Sequence, residues 1–375
     1  MRIEAGSELI KKHIDICSRV IPSKSMIPLL ECMYIKVEEN SIELRGSNGD
    51  STIWVTISDI GDEDRQAILI KAEPVKKLLN ELPPQMVTIE SIENGKQLQV
   101  KTSNGKYVLS TFPPEDYPEL QIPDTEQHVR VSKETLKKAI KQTIFAVSKR
   151  EAVSAFSTNG ILFQISEGKL TFVSTDLKIL ALFTKYNEIT DERISIRGII
   201  DGEAAKILSS ILNDIEEDYI DIGTGNNFIK FSGENWTFAS KLLPDSFPDY
   251  KIILPEDIAA EIIVDKKELL SSMDRISIFS GSRGTFGFYY ENKLILRSTS
   301  IDESSRVEEE IDAEVTAPFN PFRLDVDHFY ALVSHVETDK VSIIIDKNKR
   351  PISVTGVPRI HQHEEYIGVI APSDI

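Results

Sequence analysis

Cysteine is nearly missing from this chain: 375 residues hold two, Cys17 and Cys32, each in an apolar context. That supply excludes a disulfide framework and suits buried free thiols in a reducing compartment. Long apolar runs are missing too, since no stretch approaches the ~18 residues a membrane span requires. The opening "MRIEAGSELIKKHIDICSRV" is broken by charges and lacks a small-residue cleavage site, so it does not read as a secretory signal. A cytoplasmic protein with no membrane partner is the expectation. Excess positive charge is absent as well: 43 basic against 60 acidic residues leave a net charge of −17, which keeps the chain soluble and, on average, repels nucleic acid.

Motifs of catalysis are equally scarce. "GTGNN" at 223–227 and "GSRGTFG" at 281–287 carry glycines, but neither fits a phosphate-binding loop or a dinucleotide fingerprint, and both read as turns. His361 and His363 have no third ligand at a convincing spacing. No pair of carboxylates stands apart from the many present. No enzyme activity, cofactor or metal is therefore expected.

What the chain does contain is repetition. "SELIKKHIDI" (Ser7 to Ile16) lies over "KETLKKAIKQ" (Lys133 to Gln142) at an offset of 126, and the same offset places Asp50 on Asp176. At offset 130, "VKKLLNEL" from Val75 lies over "AKILSSIL" from Ala205, and "STFPPEDYPEL" (110–120) over "SKLLPDSFPDY" (240–250). A weaker third copy keeps the order: "VDKKELLSSMDRI" from Val264, "LILRSTS" from Leu294, "HFYALVSHV" from His328. Tandem self-similarity at this period points to three domains, set at 1–124, 125–256 and 257–375.

Within a repeat the pattern reads strand, helix, three strands, helix, three strands. Leu136, Ile140, Thr143, Ile144 and Val147 share one helical face. Alternation marks "VTIESI", "YIDIGT" and "VSIIID" as strands, and Asn94-Gly95 and Asn104-Gly105 as turns between short ones. The proline-rich phrases fall where the strands of a repeat end, which makes them inter-domain connectors.

One segment reverses the charge. Residues 129–150 hold seven basic residues (Arg130, Lys133, Lys137, Lys138, Lys141, Lys149, Arg150) and a single acid, Glu134. At 100° per residue, Lys133, Lys137 and Lys141 lie about 100° from the apolar stripe and Lys138 about 200°. A basic face beside an apolar one would touch phosphates without reading bases.

The triple repeat, together with "FASKLLPDSFPDYKIILP" (238–255), "STFPPEDYPEL", "IPLL" (27–30), "NGILF" (159–163) and "STD" (174–176), resembles the bacterial β sliding clamp family, the processivity subunit of DNA polymerase III. The resemblance covers essentially the whole chain. It implies an α+β fold of three clamp-type domains, each with two helices packed on antiparallel sheets, and a head-to-tail homodimer closing into a ring around duplex DNA. It also implies a clamp loader, and a DNA polymerase and repair proteins that bind through short linear peptides. The location it implies is the cytoplasm, on the nucleoid.

Residue by residue, it carries DNA contact to Lys24, Lys133, Lys137, Lys138, Lys141, Lys149 and Arg150. The peptide site falls on Thr158, Thr175, Leu177, Lys178, Ile179, Leu180, Pro248, Ile252, Ile253, Val369, Ile370, Ala371, Pro372 and Ser373. The dimer seam, which the family forms between edge strands, falls on Tyr107 and Leu109 on one side and Ile278 and Phe279 on the other. The third repeat adds little to a basic lining, because Lys266, Lys267 and Arg275 are offset by Asp265, Glu268 and Asp274. The acidic stretch Asp302 to Glu314 would belong to the ring's exterior.

Two departures stand out. The family loop T-D-G-H-R-L is "TDLKIL" here, and the M-P-M-like tail is "VIAPSDI", with Ala371 and Ser373 in place of flexible methionines. A divergent clamp, an accessory clamp with other clients, and a repeat-built interaction scaffold that never encircles DNA therefore all remain open. The basic face of 133–150 favours a clamp, since a scaffold has no need of it.

Overall fold

The computed structural model describes residues 1–118, 125, 127–149, 156–225, 227–280, 284–290, 293–299 and 305–373. The first repeat runs β1 (Arg2–Gly6), α1 (Ser7–Ser18), β2 (Cys32–Val37), β3 (Ser41–Ser47), β4 (Ser51–Ser58), β5 (Gln66–Lys71), α2 (Ala72–Glu81), β6 (Met86–Ile92), β7 (Gln97–Lys101) and β8 (Lys106–Phe112). The second runs β9 (Gln127–Ser132), α3 (Lys133–Thr143), β10 (Gly160–Ser166), β11 (Lys169–Thr175), β12 (Ile179–Lys185), β13 (Ile196–Asp201), α4 (Gly202–Leu212), β14 (Tyr219–Gly225), β15 (Phe228–Ser232) and β16 (Trp236–Leu243). The third comprises β17 (Ile258–Asp265), α5 (Lys266–Ser280), β18 (Thr285–Tyr290), β19 (Leu294–Thr299), β20 (Arg306–Ile311), β21 (Ala313–Val315), β22 (Phe322–Asp325), α6 (Val326–Ser334), β23 (Lys340–Asp346), β24 (Ile352–His361) and β25 (Glu364–Ile370).

The sequence pattern places three strands between the helices of a repeat; the structure has at least four. The strand missed in each case is the one that feeds the second helix: β5, β13 and β22. "QAILIK" and "IRGIID" are buried over three consecutive residues, so they carry no alternation to read. The helix expected to reach Val147 stops at Thr143, and Ile144–Ala146 form one tighter turn. Thr143 contributes to that stop, because its hydroxyl donates back to the Ala139 carbonyl at 2.7 Å and competes with the helical ladder.

In every repeat a strand runs directly into the first helix, and one backbone bond pins the junction. The N–H of Ser7 donates to the Gln85 carbonyl, that of Lys133 to Asp218, and that of Lys266 to Asp339, each at 2.8 Å. These are orphan donors of a helix start, satisfied by the chain just beyond the second helix.

The described chain divides into two compact units, Met1–Glu134 with Glu203–Leu242, and Thr135–Gly202 with Leu243–Ile375. In the first, antiparallel pairing runs β1, β6, β7, β8, β5, β2, β3, β4, β16, β15, β14, β9. Helix α1 buries Ile10, Ile14, Ile16 and Cys17. Both cysteines are free and buried, and burial pushes the Cys17 thiol up in pKa.

In the second unit β13, β10, β11, β12, β25, β24, β23 and β17 pair in that order, and β20, β19, β18 and β22 form a separate four-stranded sheet. Its largest core joins Met273 and Ile276 of α5, Phe329 and Leu332 of α6, and Phe286 and Phe288 of β18, each side chain supplying about 1.5–3 kcal/mol of burial.

The connector after Leu254 is held by Asp346 at the end of β23. Its Oδ2 accepts from the N–H groups of Glu256 (2.8 Å) and Asp257 (2.9 Å), and its Oδ1 from those of Asn348 (2.8 Å) and Lys349 (3.1 Å). Burial alone would raise the carboxyl pKa, but the four donors bring it down to about 2. A depressed pKa stabilises the fold fully above the ordinary value near 3.9, and that contribution is lost as pH falls through about 2. Asp346→Asn is expected to cost about 1–3 kcal/mol at pH 7. Thermal unfolding from pH 7 to pH 2 should show the gap from the parent closing below about pH 4; a constant gap would refute the charge-based role.

Candidate functional site

The carried-over peptide residues lie in the second unit. Strand β11 ends at Thr175, whose hydroxyl donates to the Ile179 carbonyl (2.6 Å) and accepts from the N–H of Leu177 (3.0 Å). Asp176 Oδ1 accepts from the N–H groups of Lys178 and Ile179, both at 2.9 Å. This closed turn holds Leu177 in the left-handed region, φ 72°, with its side chain 55% exposed. A branched side chain there stores about 1–2 kcal/mol of backbone strain.

From the turn, β12 alternates. Leu180 and Leu182 join Val173, Leu162, Ile199, Ile367 and Val369 in one apolar cluster, over which the segment after β16 lays Phe247, Tyr250, Ile253 and Leu254. The rings of Phe247 and Tyr250 meet edge to face, 6.5 Å apart, and the Tyr250 hydroxyl donates to Gln164 Oε1 at 3.0 Å. Asp249 caps the short turn Tyr250–Ile253. Ile252 projects from it, 66% exposed, beside half-buried Pro248. Thr158 and Thr175 are buried, and Lys178 is exposed on the turn.

Ile179 and Ile370 do not share this face. They pair directly across β12 and β25 but point into the α5/α6 core, because alternation sends them opposite to Leu180 and Val369. Sequence reasoning also left out Phe247 and Tyr250, although both stand inside the quoted phrase "SFPDY".

The C-terminal segment is tied down twice. The Ala371 N–H donates to the Lys178 carbonyl (3.2 Å) and the Ser373 N–H to the Arg323 carbonyl (2.9 Å), with Pro372 between them.

The basic residues separate into two groups. Lys133 Nζ donates to the Ile215 carbonyl at 3.1 Å, a bond to the backbone just past the end of α4 that fixes the side chain. Lys138 bridges Glu337 and Glu364, and Lys185 adds a second bond to Glu364 at 3.0 Å. Burial by itself would lower the Lys138 pKa, but the two glutamates outweigh it and hold it above its ordinary value. Lys133 and Lys138 are thus engaged with neighbouring chain instead of forming a free basic face. Lys24, Lys141 and Lys149 are exposed, Lys137 is half-buried on α3, and Arg150 lies outside the described residues.

At the expected seam, Tyr107 and Val108 are exposed and Leu109 half-buried on β8. That strand pairs with β7 along its length but with β5 only at Phe112 and Thr111, leaving an open edge. Ile278, 76% exposed, and Phe279 sit on the last turns of α5, not on an edge strand. One edge of the four-stranded sheet is β20, whose Glu308, Glu309 and Glu310 pair with Arg297, Arg275 and Lys293. Residues 302–304 of the acidic stretch lie outside the described residues.

Repeated strand–helix junctions, an apolar site beside a β-turn and an open edge strand define a clamp-type fold. Residues 1–121 match the N-terminal domain of the DNA polymerase III beta subunit, and residues 130–249 match its central domain. The chain belongs to this family. It is 29% identical over 289 residues to the Beta sliding clamp of Bacillus subtilis, covering 75% of both chains, and 27% identical over 304 residues to that of Staphylococcus aureus, covering 79% of both. Among solved structures, a DNA polymerase III beta subunit from Pseudomonas aeruginosa superposes with a TM-score of 0.91 at 20% identity over 100% of both chains. The Bacillus subtilis sliding clamp gives 0.90 at 23%, over 100% of this chain and 99% of that one.

Replacing Lys138 by Met would leave largely buried Glu364 with Lys185 as its remaining cation and release exposed Glu337, and is expected to cost about 1–2 kcal/mol, while Lys141→Met should stay within about 0.5 kcal/mol. Chemical denaturation of both variants checks this; equal stabilities would overturn the division of the lysines.

Proposed function

We propose that this chain is a DNA sliding clamp: a non-catalytic processivity subunit that closes as a head-to-tail homodimer around duplex DNA and tethers DNA polymerase and repair proteins. The observation that carries the reading is the full-length likeness to sliding clamps, combined with a junction bond repeated at the same length in all three repeats. Domains at 1–124, 125–256 and 257–375 follow from that repetition. The ring's seam would set the open edge of β8, with Tyr107 and Leu109, against the α5 end carrying Ile278 and Phe279 and the neighbouring edge strand β20.

Contact with DNA would rest on Lys24, Lys137, Lys141 and Lys149, with Arg150 beside them in sequence. So few phosphate contacts give weak, sequence-independent binding, and retention comes from topology. The acidic remainder of the chain discourages binding elsewhere. The cluster around Phe247 and Tyr250, with Leu177 and Ile252 exposed beside it, suits an apolar side chain of a short linear client peptide. Replacement of the family's glycine, histidine, arginine and methionines around it supports a client set different from the usual one. A loader would deliver the ring, and the work would be done on the nucleoid in the cytoplasm.

The test is retention on circular against linearised duplex DNA after loading by a matched clamp loader. Retention on circles with run-off from linear ends is expected; equal loss from both would overturn the ring and favour a scaffold. Lys141→Glu with Lys149→Glu should shorten retention on circles and lower the salt slope of direct binding by about 1 per lost contact. The dimer mass should be unchanged.

A further inference from the structure

The chain contains four Asn-Gly steps: Asn48-Gly49, Asn94-Gly95, Asn104-Gly105 and Asn159-Gly160. The pair suits tight turns, because asparagine tolerates positive φ and glycine has no side chain to clash. It is also chemically labile, since nothing on the glycine shields its amide nitrogen from the neighbouring carboxamide. Two of the four are protected by the fold. Asn48 Oδ1 accepts from the N–H groups of Asp50 (3.0 Å) and Ser51 (2.7 Å), and the Gly49 N–H donates to Ser47 Oγ at 3.1 Å. Asn159 is half-buried, and Gly160 is buried at the start of β10, paired with Asp201 of β13.

Asn94 and Asn104 differ from both. Each is exposed, and neither carboxamide has a hydrogen bond among the described residues. Asn94 stands at φ 55° and Gly95 at φ 85°. These two turns hold the two ends of β8. The turn at 102–105 leads into the strand: the Thr102 N–H donates to the Gly105 carbonyl at 2.9 Å, and the Gly105 N–H to Thr102 Oγ1 at 3.0 Å. The turn at 93–96 grips the far end, where the Thr111 N–H donates to the Lys96 carbonyl at 3.1 Å and the Thr111 hydroxyl to the Gly95 carbonyl. Apart from these turns β8 has β7 along one side, and β5 only at Thr111 and Phe112.

We propose that Asn94 and Asn104 are sites of spontaneous deamidation, and that their conversion loosens β8 as the protein ages. The amide nitrogen of the following glycine attacks the asparagine Cγ, and the new N–Cγ bond closes a succinimide. The Cγ–Nδ2 bond breaks, and the nitrogen leaves as ammonia with the proton that the glycine gave up. Water then opens the ring at either carbonyl, leaving aspartate or isoaspartate; nothing is oxidised or reduced. Each event places a negative charge in a turn, and the isoaspartyl product also adds a methylene to the backbone, which displaces the hydrogen bonds on either side. The functional consequence, a dimer that separates more readily with age, rests on the reading of β8 as the seam; the modification itself does not.

The experiment incubates the full-length chain, folded and in urea, at pH 8 and 37 °C in water enriched in oxygen-18, and follows the four steps by peptide mapping. The label marks product because ring opening takes its oxygen from water. In urea all four steps should convert at similar rates. In the folded chain Asn94 and Asn104 should outpace Asn48 and Asn159 by at least about tenfold, the factor that breaking two hydrogen bonds at Asn48 imposes. In the converted fraction, separated by its added charge, the Thr111 amide should exchange about fivefold faster, the worth of one hydrogen bond. Asn94→Gly with Asn104→Gln should age without either change. Conversion at Asn48 or Asn159 as fast as at Asn94 and Asn104, or a Thr111 amide as protected after conversion as before it, would overturn the proposal. Conversion is read without DNA, so its failure leaves the sliding-clamp reading standing; converted turns in a dimer of unchanged strength would leave the modification standing and count against β8 as the seam.

Discussion

The backbone bond from the first residue of one helix to the chain just past the next is the constraint on which this architecture rests. It joins a helix start, rich in unpaired N–H groups, to carbonyls of the chain a few residues beyond the next helix. Side chains at the junction do the same work with different chemistry. Ser7 Oγ donates to the Pro83 carbonyl, Lys133 Nζ to Ile215, and Lys266 Nζ to Ser334. A hydroxyl and two ammonium groups thus meet carbonyls at or just beyond the end of the second helix, Lys266 reaching Val336 as well, and the junction survives where the letters do not.

The same constraint accounts for what could be read in advance. The threefold repetition, the helices and the Asn-Gly turns rest on local pattern, and local pattern survives in one chain. The strands before the second helices of the first two repeats were hidden because burial on both faces erases alternation, whereas β22 alternates but is only four residues long. Ile179 and Ile370 were misplaced because a sequence shows that neighbours point in opposite directions but not which direction meets the core. Ile278 and Phe279 were matched to a strand edge, although "ELLSSMDRISIF" carries a helical period through Leu269, Met273 and Ile276. In the structure both are exposed near the end of α5.

Charge shows the limit most clearly. Counting placed seven basic residues on and around one helix, yet position along a helix does not reveal what lies opposite. Lys133 meets a carbonyl and Lys138 two glutamates, so both serve cohesion. The carbonyl leaves the Lys133 charge in place, whereas the glutamates offset that of Lys138. In the proposed ring a weaker pull would suit sliding, because tight phosphate contacts would brake the movement that topology already protects.

The apolar site combines rigid and compliant parts. Phe247 and Tyr250 are locked by ring packing and a hydrogen bond, whereas the turn carrying Leu177 is strained and held by its neighbours. A glycine at that position would relax the turn and remove the side chain, making the surface flatter and the loop more mobile. Leucine does the opposite: it presents an exposed methyl-bearing group at the cost of backbone strain. In the proposed peptide site, a tail with Ala371 and Ser373 in place of flexible methionines would point the same way, toward a surface shaped before its ligand arrives. Such a surface would favour few clients over many, since preorganisation lowers the ordering cost for the matching peptide and offers no adjustment to others.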